Sequence, residues 1–224
     1  MQKVPAYLLH SRKYRESSLI ISLLMQDSGR ISAVAKGALS SKKNRSLFEP
    51  FRPVSVSLNG SGSLKYLTQI EPQASQLFLN GNQIACGFYL NELIYRLTAE
   101  GDCNSGLFDL YQRTLVALAR GETETALRRF EMEFLQIIGY GIHNSVENLD
   151  SAGQYYYDVE SGISEHKSTG AIAVSGKCLL ALSLGDIGED VKREAKIFLR
   201  RIIDKHLNGR PLKSREMFRS KRNS

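Results

Sequence analysis

The residues of this sequence best suited to chemistry are lysines and arginines that cluster in its first 80 positions. Within residues 29–51, a short predicted strand is followed by Gly37 and by a polar loop that presents several cations. Lysine and arginine neutralise phosphates and release counterions, so their affinity for a polyanion depends on salt and little on sequence. They break no bonds, and the stretch therefore predicts a surface that holds a phosphate chain. The predicted phosphate-contacting cations of this region are Arg12, Lys13, Arg15, Arg30, Lys36, Lys42, Lys43 and Arg45.

Aromatic side chains near these cations strengthen the prediction, because single-strand binders combine a positive groove with rings on which bases stack. Tyr14 and Phe48 are candidates, while Phe51 and Tyr66 suit a hydrophobic core equally well. The alternative for the whole stretch is a solvated charged loop, the common fate of a run of charges. The local excess of basic over acidic residues, and the predicted strands on either side, favour nucleic acid.

The net charge of +7 is unevenly distributed along the chain. Residues 1–80 contain 11 Lys and Arg against 4 Asp and Glu, residues 81–191 contain 7 against 16, and residues 192–224 contain 12 against 3. Two basic ends thus flank an acidic middle, which favours binding to a polyanion. The basic C-terminal end either extends a nucleic-acid track, binds an acidic peptide, or is a solvated helix face and tail. Lys213 and Arg215 are its predicted phosphate-contacting residues.

The first 80 residues predict a small β-barrel. Apolar or alternating runs lie at residues 4–10, 18–25, 31–35, 54–58 and 64–70. Turn sequences separate them, notably residues 27–29 (Asp-Ser-Gly) and 59–62 (Asn-Gly-Ser-Gly). Five short strands with glycine turns suit the OB-fold, which binds single strands on its face and loops.

After Pro72 the hydrophobic period becomes helical. Residues 81–224 predict a mainly helical second domain, with helices at residues 83–99, 106–120, 123–139 and 188–207. Residues 142–175 have weak periodicity and three consecutive tyrosines, and they predict a small β insertion. A basic tail follows residue 208. The predicted fold class is therefore α+β, an N-terminal five-stranded OB-fold barrel at residues 1–80 followed by a zinc-free, mainly helical domain.

No motif for catalysis or for a cofactor emerges. Residues 170–178 resemble a phosphate loop, but one residue too many separates the glycines, and Cys178 replaces the metal-binding Ser or Thr. The four histidines lack metal-ligand spacing, and three scattered cysteines argue against a structural zinc site. We therefore expect a non-enzymatic protein with no cofactor and no metal.

The apolar segments are short. No run of about 18 apolar residues exists, and the N-terminus lacks the apolar core of a signal peptide. These features predict a cytoplasmic protein with no membrane partner.

Several stretches taken together resemble one family. These are LLHSRKYRESSLIISLL (residues 8–24), SGRISAVAKGA (28–38), LFEPFRP (47–53), ALRRFEMEFLQIIGYG (126–141) and GRPLKSREMF (209–218). In sequence and spacing they are similar to the bacterial RecO recombination mediators, and the resemblance covers most of the chain. Many members of that family carry four zinc-binding cysteines after the IGYG segment, whereas residues 142–175 contain none here. The chain thus resembles a zinc-free member.

The resemblance implies an OB-fold, binding to single- and double-stranded DNA, and annealing of complementary strands. It implies partnership with RecR and with the acidic C-terminal tail of the single-strand-binding protein SSB, and so an indirect role in loading RecA at the nucleoid during repair. In the family, the first arginine of ALRRFE is implicated in binding the SSB tail, which here is Arg128. Phe130 and Phe134 would supply the apolar pocket beside it. The alternative for Arg128 is an ion pair with Glu131 within one helix.

The sequence is also compatible with three other classes of function. An RNA-binding OB module in translation or RNA maturation would require a 2′-hydroxyl. A weak metal-dependent nuclease would cleave DNA with magnesium or manganese. A purely structural scaffold would ignore nucleic acid.

Overall fold

The computed structural model of the chain describes residues 2–62, 64–73, 77–141 and 149–218. The chain packs as two compact units. The first contains Met1–Gly121 together with Leu212–Ser224, and the second contains Glu122–Pro211. The boundary predicted near residue 80 falls inside the first unit, because two helices and the C-terminal segment join the strands there.

Five strands of the first unit form a closed barrel in the order β1-β2-β3-β5-β4. The strands are β1 (Val4–Tyr14), β2 (Ser18–Met25), β3 (Gly29–Ala35), β4 (Pro53–Asn59) and β5 (Lys65–Pro72). All neighbouring strands are antiparallel except β3 and β5, which run parallel. A short helix, α1 (Lys42–Ser46), lies between β3 and β4. The predicted OB-like five-stranded barrel is confirmed.

Alternation along the strands fills the barrel. On β2, Leu19, Ile21, Leu23 and Met25 point inward and are almost completely buried. Such alternation places one side chain in two on the inner face, and the intervening residues face outward. On β2 the outward-facing residues are Ile20, Ser22 and Leu24, and their cross-strand partners on β1 and β3 share the outer face.

Two helices, α2 (Gly81–Leu97) and α3 (Leu107–Ala119), pack within the same unit. Asn91 of α2 donates from Nδ2 to the carbonyl oxygen of Leu9 at 3.0 Å. The hydroxyl of Tyr111 donates to Asn91 Oδ1 at 2.6 Å. The ring of Tyr7 meets that of Tyr111 edge-on, with centroids 5.1 Å apart. These buried hydrogen bonds, together with the ring contact, fix the positions of α2 and α3 against β1.

The second unit combines helices with a small sheet. Its elements are α4 (Thr123–Ile137), β6 (Gln154–Asp158), β7 (Gly162–Ser164), β8 (Ile172–Ser175), α5 (Gly176–Leu184) and α6 (Glu189–His206). The three strands pair in the order β7-β6-β8, which confirms a small β insertion; its residues 142–148 lie outside the described residues. Tyr155 and Tyr157 are buried, and the Tyr157 ring meets Phe198 of α6 edge-on.

Within the described ranges, no helix is long and apolar enough to cross a membrane. Over the same residues, no group of three or more His, Cys, Asp and Glu side chains is arranged to hold a metal ion. The thiol of Cys178 is buried, and burial together with the nearby charge of Glu194 raises its pKa to about 12.

A C-terminal 3-10 helix, Lys213–Phe218, docks on α2 through Glu92. The backbone N–H groups of Lys213 and Ser214 donate to the Glu92 carboxylate at 3.1 and 2.8 Å. The Ser214 hydroxyl donates to it at 2.8 Å, and Arg96 pairs with it at 2.9 Å. Burial alone would raise the pKa of Glu92, but these hydrogen bonds and the charge of Arg96 hold the pKa below its ordinary value of 4.5.

Replacing Glu92 by Gln should loosen this contact and lower the free energy of unfolding by about 1–2 kcal/mol, because charge-assisted hydrogen bonds are lost. The stabilisation is present above the unfolded-state pKa and disappears as the pH falls below 4.5 through the lower folded-state pKa. The wild-type advantage over Glu92→Gln should therefore vanish in acid. Urea unfolding at several pH values measures it, with Glu71→Gln, which breaks the exposed Lys3–Glu71 pair, as the control. A difference that persists unchanged in acid would contradict this assignment.

Candidate nucleic-acid interface

The predicted polar loop after β3 is an ordered structure. It leaves the strand at Gly37, whose φ of +65° suits glycine. The Ser40 hydroxyl donates to the Gly37 carbonyl at 2.7 Å. Ser41 caps α1, its hydroxyl accepting from the Asn44 N–H at 3.1 Å. The residues predicted as a loop at Lys42, Lys43 and Arg45 thus form one short helix, α1.

This loop lies beside the turn between β1 and β2. The Leu39 N–H donates to the carbonyl oxygen of Ser17 in that turn at 2.9 Å. Arg15 stands in the same turn, with its guanidinium carbon 5.2 Å from the centre of the Tyr14 ring. One end of the barrel therefore brings together cations that are about 30 positions apart in the sequence, as Arg15 and Lys43 are.

The lysines at this end of the barrel are exposed. Among the described residues, neither Lys42 nor Lys43 pairs with an Asp or Glu, and the same holds for Lys36. Arg45 is also exposed, but its Nε and one terminal nitrogen donate to the Leu39 carbonyl at 3.1 and 3.0 Å. Arg45 therefore braces the loop while keeping part of its guanidinium for solvent or a phosphate.

An aromatic ring joins the cations on the outer face of the barrel. Arg12, Ile20, Val34 and Tyr66 are successive cross-strand partners on β1, β2, β3 and β5. Tyr66 is 48% exposed, and the ammonium of Lys36 lies 5.3 Å from its ring centre. Arg12, Lys36 and a solvent-facing ring thus share one surface, the combination that single-strand binders use.

The other aromatic candidates differ in exposure. Tyr14 is exposed, Phe51 is buried and packs edge-on against Phe88, and Phe48 packs against the barrel core. Phe51 is therefore a core residue and Tyr66 is not, a choice that the sequence left open.

Arg30 stands apart from the predicted set. Its guanidinium donates to the Thr98 carbonyl at 2.9 Å, lies 3.9 Å from the Glu100 carboxylate, and covers the Tyr95 ring at 5.2 Å. Only 13% of its side chain is exposed. Arg30 anchors the end of α2 to the barrel, and we leave it out of the interface.

Lys213 and Arg215 lie on the C-terminal 3-10 helix, which is held at α2 by Glu92. The Lys213 side chain is exposed there. The structure therefore places these two residues beside α2, and their predicted contact with DNA stays a prediction.

Arg128 of α4 is buried between carboxylates. It donates to Glu131 at 2.8 Å and lies 3.9 Å from Glu124, which also pairs with Lys196 at 3.1 Å. Phe130 and Phe134 are wholly buried, with rings stacked at 5.4 Å. The ion pair considered as the alternative for Arg128 is formed, and in this conformation a peptide reaches none of the three residues predicted to bind the SSB tail.

A groove on the barrel face was not predicted from the sequence. Tyr95 of α2 reaches His10 of β1, with ring centroids 5.2 Å apart, and closes one side of a groove. The two residues are 85 positions apart, and no short-range pattern connects them.

Comparison with known proteins covers both parts of the chain. A family profile described as Recombination protein O N terminal matches residues 1–76, and one described as Recombination protein O C terminal matches residues 79–216. The chain belongs to the RecO family.

Curated relatives of the family align over nearly their full lengths. A DNA repair protein RecO of Methylococcus capsulatus is 43% identical, with 96% of this chain and 92% of the relative covered. One of Cellvibrio japonicus is 41% identical, with coverage of 96% and 95%. One of Halorhodospira halophila is 39% identical, with coverage of 99% and 98%. Membership of the RecO family supports a role in recombination and DNA repair.

Replacing Arg128 by Ala should destabilise the second unit by about 3–5 kcal/mol, because it leaves the buried Glu131 carboxylate without this cation. Urea unfolding of the full chain measures the change. Arg129→Ala is the matched control, because Arg129 is exposed and its Nε donates to the Gly185 carbonyl at 3.0 Å. We expect this control to lose less than about 1 kcal/mol. Equal, small losses for both variants would show that the buried pair is not a structural requirement.

Proposed function

We propose that the chain is a non-enzymatic mediator that binds single- and double-stranded DNA and anneals complementary single strands. One observation carries this proposal. The exposed cations Lys36, Lys42 and Lys43, unpaired with carboxylates in the described part of the chain, gather with Arg12 and the open ring of Tyr66 on one barrel. A surface without internal counter-ions is available to phosphates, and binding there releases the counterions of the nucleic acid.

Annealing follows from the same electrostatics. Two complementary strands repel each other through their phosphates, and this repulsion slows their encounter. Cations that neutralise one strand lower that repulsion, and because these cations contact the backbone, they do not occupy the base edges that must pair. The loop at α1 and the turn that carries Arg15 would hold the backbone, and Arg12 and Lys36 would continue its path along the barrel face.

The partners that we propose are RecR and the acidic tail of SSB, with RecA loaded indirectly onto SSB-coated DNA in the cytoplasm, at the nucleoid. Family membership supports them. For the SSB tail, we propose that its carboxylates exchange with Glu124, which now holds both Arg128 and Lys196. Displacing Glu124 would free Lys196 and remove one of the two carboxylates beside Arg128, on the helix that also carries Phe130 and Phe134.

The double substitution Lys42→Ala/Lys43→Ala should weaken single-stranded DNA binding about tenfold at low salt. It should also flatten the slope of log affinity against log salt by about 1.4, because each phosphate contact to a single strand contributes about 0.7. Fluorescence anisotropy with a labelled oligonucleotide at several salt concentrations measures both quantities. Annealing of complementary oligonucleotides, followed by fluorescence transfer, should slow in parallel.

The matched control is Lys3→Ala/Lys167→Ala, which removes the same charge from exposed lysines outside the proposed surface; Lys3 is already paired with Glu71. We expect its salt slope to equal that of the wild type. Equal slopes for the two double variants would refute the surface. Preferential competition by RNA of equal length would favour an RNA-binding module instead, and DNA cleavage in magnesium or manganese that copurifies with the chain would contradict the non-enzymatic part.

A further inference from the structure

A groove of about 250 Å³ runs over the outer face of the barrel, beside the proposed DNA path. Its floor comes from β1, β2 and β3, where His10, Ser22 and Ser32 are cross-strand partners. Tyr95 and Leu64 form apolar walls that are 41% and 42% exposed. The volume is below the range of about 300–1,000 Å³ typical of sites for drug-sized ligands, and it suits one ring system.

The floor contains a buried hydroxyl, that of Ser22. Ser22 is 4% exposed, and within the described residues its hydroxyl makes no hydrogen bond. A buried polar group in that state costs free energy, and native proteins contain few of them. A ligand atom that hydrogen-bonds to the Ser22 hydroxyl would remove this cost.

A carboxylate at one side of the groove disfavours a phosphate beside it. The Glu100 carboxylate lines it and is fixed there by the Ser32 N–H, which donates to it at 2.7 Å. A carboxylate repels a phosphate and accepts hydrogen bonds from amino and imino groups. The cation of Arg12 stands in the groove lining as well, in register with Ile20 on the neighbouring strand.

Tyr66 lies one cross-strand row away. The row through Ser22 joins His10 to Ser32, and the next outward-facing row joins Arg12 to Val34 and then to Tyr66. The groove and the exposed Tyr66 ring therefore stand side by side on one face, with the Lys36 ammonium over the ring.

We propose that this face reads single strands by their bases: one unstacked nucleobase enters the groove over Ser22, the adjacent base stacks on Tyr66, and Arg12 and Lys36 hold the phosphates outside. The apolar walls and the Ser22 hydroxyl fit a flat ring with polar edges, and Glu100 keeps phosphates at the rim. This inference deepens the proposed function and rests on it. It adds a preference for strands with unpaired bases, which a purely electrostatic surface lacks.

The test compares two labelled oligonucleotides of equal length and phosphate number, one of ordinary deoxynucleotides and one of abasic residues. The wild-type chain should bind the ordinary strand about five- to a hundredfold more tightly, as expected when one base stacks on an aromatic side chain. Tyr66→Ala should lose most of this preference and keep its salt slope. Tyr66→Phe, which retains the ring, should keep the preference. Lys36→Ala should weaken binding of both strands equally.

A second variant isolates the groove. Ser22→Ala should leave the melting temperature of the free protein unchanged or raise it, because the hydroxyl has no partner there among the described residues. It should weaken binding of the ordinary strand about three- to tenfold, which is the effect of losing one hydrogen bond, and leave binding of the abasic strand unchanged. A merely structural serine would lower the melting temperature and affect both strands alike, and that result would remove Ser22 from the site.

The outcomes separate the two levels of the proposal. Tight, salt-dependent and equal binding of ordinary and abasic strands would overturn the base-reading groove and leave the phosphate-binding surface standing. Failure of the wild-type chain to bind either strand at low salt would overturn both.

Discussion

The parallel pairing of β3 with β5 determines which side chains lie together on the outer face of the barrel. The pairing consists of two residue pairs, Ala33 with Lys65 and Val34 with Tyr66. It joins the edges of β3 and β5 and so closes the barrel. Because side chains alternate across a strand, that register points Tyr66 outward beside Val34. Lys36, two residues beyond Val34, then reaches the Tyr66 ring. A backbone hydrogen-bond pattern thus determines the distance between a cation and an aromatic ring 30 residues away.

Basic residues in this chain have two environments, and the distinction follows from desolvation. Arg30 and Arg128 are mostly buried, and each is matched by carboxylate or carbonyl oxygens, because an unpaired buried charge is too costly to persist. Lys42 and Lys43 keep their hydration and have no carboxylate partner among the described residues. Several acidic residues after position 80 serve as internal partners, namely Glu92, Glu100, Glu124 and Glu131. The basic residues therefore divide into structural ion pairs and an exposed set that has no carboxylate partner among the described residues.

Much of the architecture was predictable because it rests on local patterns. Short apolar or alternating runs and the turns between them predicted the strands, and helical periodicity predicted α2, α3, α4 and α6. The candidate sites were harder to predict, since charge type is visible in a sequence and burial is not. Arg30 and Arg128 look like their exposed neighbours until packing encloses them. Phe51 and Tyr66 were likewise equivalent until the fold buried one and exposed the other.

The sequence by itself determined that this chain has a β-barrel followed by helices, a basic and an acidic segment, and membership in the RecO family, because these features depend on composition and on short-range order. Only the tertiary structure decided which cations face solvent together and that the 3-10 helix at residues 213–218 docks on Glu92. It also decided that the Ser22 hydroxyl, which has no partner among the described residues, lies under a groove walled by Tyr95 and Leu64. These are contacts between residues that are tens of positions apart, and barrel closure and helix docking, which no local pattern encodes, set their distances.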